Sequence, residues 1–212
     1  MTRPLYGFCF ITDRKASRLG LFQDVSDAIA GGASIVQYRD KGARLQGMLI
    51  VAQKLLSITK PAGVPLIIND EFSVALQVGA DGCHLGQSDF PLHEARRMMA
   101  GKIVGLTVHN AEEARRAEQG GANYIGASPI FPTGTKADAG KSIGLEGLRE
   151  IRKATRLPIF AIGGITLQNA PSAIEAGADG LCAISAASGL GVEGKVASFA
   201  ALFPKTKKHN PI

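Results

Sequence analysis

A loop between residues 126 and 136 carries the residue types that bind phosphate. It reads Gly-Ala-Ser-Pro-Ile-Phe-Pro-Thr-Gly-Thr-Lys, with hydroxyls at Thr133 and Thr135, a cation at Lys136 and no acidic side chain before Asp138. Glycine lets backbone N–H groups approach an anion, hydroxyls donate hydrogen bonds, and an ammonium group supplies positive charge. The loop alone is equally consistent with a Pro- and Gly-rich surface turn, so its interpretation depends on the elements around it.

Other polar residues follow apolar runs and are candidates for metal and anion sites. Asp70 and Asp89 offer hard oxygen ligands, which suit Mg²⁺ completed by water and a substrate phosphate. Arg39, Lys41 and Lys136 would add positive charge around the same region, so this group favours a diphosphate. A separate phosphomonoester would find backbone donors and helix N-termini at two further places. One is Gly163-Gly164, which a helix is expected to follow, and the other is the Ile184-Ser185 turn, which is expected to open the last helix.

Each of these residues also has a purely structural interpretation. Asp70 and Asp89 could cap the helices that follow them, and Arg39 could pair with Asp40 or another nearby acid. His84 and His109, at the ends of apolar runs, are more typical of hydrogen-bonded structural histidines than of acid/base catalysts. The functional interpretation requires a fold that brings all of these positions to one edge.

A repeated pattern predicts how the chain positions them. A Gly-Ala pair, a small or polar residue and an apolar run occur together four times, starting at Gly32, Gly79, Gly121 and Gly177. Each copy follows helical periodicity, so each glycine is expected to end a helix and lead into a strand. Four more apolar runs lie at residues 5–12, 64–68, 102–108 and 157–162. Together with the four repeats they give eight candidate strands.

Apolar strands that alternate with helices indicate a parallel sheet buried on both faces. Eight such units in 212 residues favour an α/β fold, a single (β/α)8 TIM barrel, over the alternative of an open doubly wound sheet. In a barrel the carboxyl ends of the strands meet at one rim, and most of the polar residues named above follow those ends.

Composition agrees with one catalytic domain over residues 1–212, with a short basic tail from about residue 205. The formal charge of +6 is scattered along helices, which is typical of a solvated surface and argues against nucleic-acid binding. Without a bilayer-length apolar run or a secretory pattern, we expect a cytoplasmic protein with no membrane contact. Three cysteines in apolar runs, without metal-ligand spacing, are predicted to be buried.

Six segments together resemble the thiamine phosphate synthase family, and they cover the chain from the second to the eighth predicted strand. They are Gln37-x-Arg39-x-Lys41-Gly42, Ile68-Asn69-Asp70, the run from Gly79 to Asp89, the loop from Gly126 to Lys136, Ala161-Ile162-Gly163-Gly164-Ile165, and Ile184-Ser185-Ala186. The resemblance implies a transferase that joins hydroxymethylpyrimidine diphosphate to a thiazole phosphate, either hydroxyethylthiazole phosphate or its carboxylated form. Thiamine phosphate and pyrophosphate would be the products.

The same resemblance implies roles for individual residues. Asp70 and Asp89 would hold Mg²⁺, and catalysis would rest on Lys136, Arg39, Lys41 and Thr107. The pyrimidine substrate would contact Gln37, Arg39, Lys41, Asn69, Thr107 and Lys136, and the thiazole phosphate would contact Thr133, Thr135, Gly164, Ile184 and Ser185. Family members form a pyrimidine-stabilised carbocation that the thiazole nitrogen captures. Thr107 and Asp40 depart from the usual serine and glutamate, and both changes keep the functional group.

Two other functions fit the same barrel. A thiazole tautomerase would need neither diphosphate nor metal, and His109 would be its best acid/base candidate. A phosphate-sensing protein without catalysis is the third option. The retained Asp70, Asp89 and Lys136 favour the synthase over both. The sequence leaves open whether the chain is a monomer or a homodimer.

Overall fold

In the computed structural model, residues 5–134 and 140–203 are described. Within these ranges eight strands alternate with eight helices, in the order β1 (Gly7–Ile11), α1 (Leu21–Ala30), β2 (Ile35–Tyr38), α2 (Leu45–Thr59), β3 (Leu66–Asn69), α3 (Phe72–Val78), β4 (Gly82–Leu85), α4 (Leu92–Met98), β5 (Ile103–Val108), α5 (Ala111–Gln119), β6 (Tyr124–Ala127), α6 (Gly144–Ala154), β7 (Ile159–Ala161), α7 (Ala170–Glu175), β8 (Gly180–Ala183) and α8 (Val192–Ala200). The predicted basic tail lies outside the described residues. None of the described helices has the length and apolar character needed to cross a membrane.

The eight strands close into a parallel barrel. Each strand pairs with the next in the chain, and β1 pairs with β8 from Gly7 opposite Gly180 to Phe10 opposite Ala183. This last pairing confirms the predicted (β/α)8 barrel and shows that the open-sheet alternative was wrong. The carboxyl ends of all eight strands therefore surround a single opening.

The Gly-Ala repeat marks the passage from a helix to an even-numbered strand. Its glycines have left-handed φ angles: 93° at Gly32, 69° at Gly79, 80° at Gly121 and 110° at Gly177. A β-carbon is unfavourable in this conformation, which explains why glycine stands at each of these positions. Gly79 is the residue that caps α3, and the other three lie one residue beyond the cap. The predicted link between helix end and strand start is thus confirmed.

The third residue of each repeat ties its strand to the strand before it. Leu66, Val104 and Ile159, at the starts of β3, β5 and β7, donate their backbone N–H groups to the side chains of Asp81, Asn123 and Asp179, over 2.9, 2.8 and 3.0 Å respectively. In the first repeat the direction is reversed, because the Ser34 hydroxyl donates to the Phe8 carbonyl in β1 over 3.0 Å. We call these four side chains the amino-end clamps. They satisfy polar backbone groups at the rim opposite the opening.

Arginines from the helices brace two of the clamps. Arg152 in α6 donates to Asp179 over 2.9 Å and also to the carbonyls of Thr155 and Leu157. Arg96 in α4 contacts Asn123 over 3.0 Å and the Lys102 carbonyl over 2.8 Å. Each of these two guanidinium groups therefore fixes one clamp side chain together with the loop beside it.

The three cysteines are buried and free, as the sequence predicted. Cys9 and Cys182 lie opposite each other in β1 and β8, inside the barrel. Burial raises the pKa of the Cys83 thiol to about 12, so it stays protonated at neutral pH. These thiols act as small apolar side chains of the core.

We expect Asp179→Ala to lower the free energy of unfolding by about 1–3 kcal/mol, because the Ile159 N–H and the Arg152 guanidinium both lose an acceptor in a partly buried place. Glu146→Ala, which removes an exposed ion pair with Arg149, should cost less than about 0.5 kcal/mol. Chemical denaturation of both variants measures the difference. Equal losses in the two variants would contradict a bracing role for Asp179.

Candidate active site

Arg39 lies just beyond β2 at the barrel opening and is about nine-tenths buried. Its backbone is fixed by Thr12, whose hydroxyl oxygen accepts the Arg39 N–H over 3.0 Å and whose hydroxyl donates to the Arg39 carbonyl over 3.1 Å. Its guanidinium approaches Asp13 only at 3.9 Å, and within the described ranges its Nε–H has no hydrogen-bond partner. Asp40 pairs instead with Arg14, so of the acids that the structural alternative allowed for Arg39 it is Asp13 that lies nearest. Arg39 is a buried cation with donor capacity left for an anion.

Asp70 follows β3 directly and has a left-handed backbone. Its φ of 63° makes it the one non-glycine residue with a positive φ in the described part of the chain. Its N–H donates to the His84 carbonyl of β4 over 2.8 Å, which holds the turn against the neighbouring strand. Non-glycine residues in this conformation concentrate at functional sites because surrounding contacts must enforce it.

Asp89 lies in the turn after β4, one strand away from Asp70. Its Oδ2 accepts the Gly86 N–H over 2.6 Å, which closes the turn. The segments carrying the two carboxylates are packed together by Phe72 and Phe90, whose rings stack with centroids 4.3 Å apart and planes 4° from parallel. This stacking places the Asp70 and Asp89 turns side by side.

Neither aspartate occupies the N-cap position of the helix that follows it. The N-cap residue of α3 is Glu71 and that of α4 is Pro91, and neither of these two residues makes a side-chain capping hydrogen bond. Asp70 and Asp89 instead lie in the turns between strand and helix at the opening.

The donor set fits a magnesium ion that is completed by substrate. The described residues hold no group of three or more His, Cys, Asp and Glu side chains suited to a metal. Mg²⁺ characteristically takes one or two carboxylates together with water and substrate phosphate oxygens. The carboxylates of Asp70 and Asp89, from adjacent turns, would be the two protein ligands of such a site.

A chain of polar side chains crosses the barrel interior below the opening. His84 in β4 contacts the Tyr124 hydroxyl through Nδ1 and the Thr107 hydroxyl through Nε2, both over 2.9 Å. Gln37 in β2 is also buried. Burial raises the pKa of Tyr124 well above its ordinary value, so the phenol stays protonated. His84 is thus hydrogen-bonded on both ring nitrogens, as expected of a structural histidine.

Glycines create the space for this chain. A β-carbon at Gly105 would overlap the Tyr124 ring and lie 2.6 Å from Nδ1 of His84. One at Gly126 would lie 3.1 Å from Cε1 of the same imidazole. The sequence did not identify Tyr124 as a site residue. The sequence signal for it was the pair of glycines Gly105 in β5 and Gly126 in β6. A glycine within a strand indicates that a large neighbouring side chain occupies the space where its own side chain would be.

The opposite half of the opening holds a cleft between the loops after β6, β7 and β8. Ten residues line it, among them four predicted contacts of the thiazole phosphate: Thr133, Gly164, Ile184 and Ser185. Gly164 has a left-handed φ of 65°, and a β-carbon there would lie 2.6 Å from the Pro132 carbonyl oxygen. Glycine is therefore required where the two loops touch.

One of the two helices expected at this cleft begins later in the chain. Helix α7 follows the Gly163-Gly164 turn, as predicted, and begins at Ala170. Helix α8 begins only at Val192, so the prediction that the Ile184-Ser185 turn opens the last helix was wrong. After β8 the chain makes one helical turn, in which Ser188 donates its N–H to the Ile184 carbonyl, before Gly189 and Gly191 interrupt it with positive φ angles. After β7, Asn169 donates to the Gly164 carbonyl over 2.9 Å and fixes that loop.

The remaining predicted site residues are distributed around the opening. Asn69, which ends β3, is buried and pairs in register with His84. Lys41 is exposed on the loop after β2. Thr135 and Lys136 lie outside the described residues.

His109, which follows β5, is held at the start of a helix. Its Nδ1 and its backbone N–H both contact Oε2 of Glu113, over 2.9 and 2.8 Å. Asn110 caps α5 by accepting the Glu113 N–H over 2.9 Å. The Asn-x-x-Glu spacing of a capping box could have predicted this arrangement from sequence. These contacts of Glu113 and Asn110 account for the position of the His109 side chain without a catalytic role.

The chain matches the family model described as thiamine monophosphate synthase over residues 8–187. A protein of Chloroflexus aurantiacus named thiamine-phosphate synthase is 49% identical over 83% of this chain and 82% of its own length. One of Methanosarcina mazei with the same name is 47% identical over 84% of this chain and 75% of its own. A solved thiamine phosphate pyrophosphorylase from Pyrococcus furiosus superposes with a TM-score of 0.85 at 36% identity, covering 93% of this chain and 95% of that one. These similarities give no support to the isomerase alternative.

We expect Gly164→Ala to lower the free energy of unfolding by about 1–3 kcal/mol, since the added methyl group meets the Pro132 carbonyl in a left-handed backbone. Gly134→Ala is the matched control, because a β-carbon there has nothing within 4 Å. Chemical denaturation should separate the two variants. If Gly164→Ala proved as stable as its control, the two loops would not be in the tight contact described.

Proposed function

The chain belongs to the thiamine monophosphate synthase family and makes thiamine phosphate, and from this premise we propose that it joins a hydroxymethylpyrimidine diphosphate to a thiazole phosphate at the barrel opening. The observation that carries the proposal is the division of that opening. Carboxylates and a buried arginine follow β2 to β4, and a cleft lies across from them between the loops after β6 to β8. Two anionic substrates would meet with their rings between these halves.

The β2 to β4 half is suited to the diphosphate. Arg39 brings a desolvated positive charge, Lys41 adds an exposed one, and Lys136 would complete the group from the loop after β6. Gln37 and Asn69, both buried at the ends of their strands, can donate amide hydrogen bonds to the same substrate. When bound by Asp70 and Asp89, Mg²⁺ would neutralise diphosphate charge.

The reaction follows from this distribution of charge. The bond between the pyrimidine methylene carbon and the diphosphate oxygen breaks, and pyrophosphate leaves with the electron pair. The thiazole nitrogen then donates its lone pair to the methylene carbon and forms the new C–N bond. No side chain has to remove a proton in either step. Arg39, Lys41 and Lys136 lower the barrier by stabilising charge that grows on the leaving group.

The β6 to β8 cleft is suited to the thiazole phosphate. Thr133 and Ser185 bring hydroxyl groups to its lining, and Gly164 leaves room for a phosphate oxygen near the backbone. Anchoring the phosphate there would hold the thiazole ring toward the β2 to β4 half.

The cytoplasmic location stays a prediction, and so does a homodimer, which the sequence left open.

Pyrophosphate release tests the overall reaction. We expect the purified protein to release pyrophosphate only when both substrates and Mg²⁺ are supplied, and to stop when the metal is chelated. Asp70→Asn and Asp89→Asn should each raise the Mg²⁺ concentration needed for half-maximal rate, because each removes a charged oxygen ligand. Turnover that is indifferent to chelation would remove the metal from the proposal.

We expect Lys136→Ala to lower kcat by about 10²-fold or more, the scale seen when one preorganised charge-stabilising donor is lost. Lys141→Ala is the matched control, since it removes an exposed lysine from the segment just before α6. Steady-state assays with both substrates saturating measure the effect. Near-normal turnover in Lys136→Ala would exclude this lysine from leaving-group stabilisation.

A further inference from the structure

A side chain replaces the backbone at the carboxyl end of the β1–β2 strand pair. Strand pairing reaches Ile11 opposite Gln37, and the Thr12 N–H adds one more bond to the Gln37 carbonyl over 3.0 Å. In a regular parallel ladder the next bond would run from the Arg39 N–H to the Thr12 carbonyl. The Thr12 hydroxyl oxygen accepts that N–H instead, over 3.0 Å, and the same hydroxyl donates to the Arg39 carbonyl over 3.1 Å. One side chain therefore holds both polar backbone groups of Arg39.

This contact fixes the direction in which Arg39 leaves the strand. Thr12 is almost fully buried, so water does not compete for its hydroxyl. Residues two apart in a strand share a face, and Ile35, on the face that Gln37 shares, belongs to the cluster inside the barrel. By holding the Arg39 backbone, Thr12 carries this alternation one residue past the end of β2. The Arg39 side chain is thereby kept on the inner side, at the opening.

The Arg39 guanidinium has few contacts of its own to fix it. Its nearest acid is Asp13, at 3.9 Å, and its Nε–H has no hydrogen-bond partner among the described residues. Asp13 is already engaged in its own turn, because its Oδ1 accepts the backbone N–H groups of Lys15 and Ala16 over 2.9 and 3.1 Å. The position of the guanidinium therefore depends on how firmly its backbone is held.

We propose that Thr12 is a positioning residue whose hydroxyl fixes the Arg39 backbone, so that the guanidinium meets the diphosphate in the orientation that stabilises the departing pyrophosphate. This inference rests on the proposed function, and in it Thr12 acts through Arg39 rather than on the substrate. A displacement of about 1 Å in a group at the reacting centre can lower a rate by about 10²-fold, so a hydroxyl behind the arginine is able to change turnover.

The same strand pair supplies a matched control at its other end. The Ser34 hydroxyl donates to the Phe8 carbonyl over 3.0 Å and so also joins β1 to β2, at the rim opposite the opening. Ser34→Ala removes this bond without touching the Arg39 segment. If Thr12 served the fold alone, loss of either hydroxyl would affect activity alike. A positioning role predicts that only the loss of the Thr12 hydroxyl lowers turnover.

We expect Thr12→Val, which keeps the size of the side chain and removes both hydrogen bonds, to lower kcat about 10-fold with both substrates saturating. Thr12→Ser, which keeps the hydroxyl, and Ser34→Ala should stay near the wild-type value. Chemical denaturation shows which variants are folded in the assay, and Thr12→Ala takes the place of the valine variant if that one is not. Wild-type turnover in the folded variant, or an equal fall in Ser34→Ala, would overturn the inference.

Binding of pyrophosphate in the presence of Mg²⁺ tests the link to Arg39 without turnover. By calorimetry we expect Thr12→Val to weaken this binding about 3- to 10-fold, the scale of one hydrogen bond. In an Arg39→Ala background the same substitution should cause no further weakening, because its effect acts through the guanidinium.

The outcomes of the binding experiment separate this inference from the proposed function. Equal weakening with and without the Arg39 side chain, or none in either background, would mean that Thr12 does not act through the arginine, and the inference would fail. A wild-type protein that releases no pyrophosphate from the two substrates would instead refute the proposed function.

Discussion

The pairing of β1 with β8 is the constraint on which the site depends. Aspartates that follow β3 and β4 and a cleft formed after β6, β7 and β8 would lie near different edges of an open sheet. Closure turns those edges into a ring, so the two groups face each other across one opening. The proposed reaction needs two anionic molecules in one place, and closure by the β1–β8 pair provides such a place.

The opening and the opposite rim are built by different means. At the amino ends of the strands, the side chains of Ser34, Asp81, Asn123 and Asp179 bond to backbone groups. At the carboxyl ends, the buried Nε–H of Arg39 has no hydrogen-bond partner among the described residues, and Asp70 has a left-handed backbone. A buried donor without a partner is costly in a folded protein. Arg39 therefore retains donor capacity that a charged ligand at this rim can use.

Much of this could be predicted from sequence because it depends on local periodicity. The Gly-Ala repeats located four strands correctly, since left-handed glycines at helix ends are imposed by sterics within a few residues. The start of α8 was misplaced, because the single helical turn after Ile184 ends at Gly189 and the helix begins only at Val192. Tyr124 and the Phe72–Phe90 stack were missed for another reason. Their roles arise from contacts between residues distant in sequence, which periodicity does not encode.

The amino-end clamps recur at every second strand, so the barrel consists of four similar quarters, each with two strands and two helices. Because each clamp joins the two strands of its own quarter, the quarter is a cohesive module, and neighbouring modules meet through strand pairing. Such a modular ring tolerates divergence in the loops of one module without loosening the others. The acidic turns after β3 and β4 and the cleft between the loops after β6, β7 and β8 therefore lie in different modules, and each can change without altering the scaffold of the other.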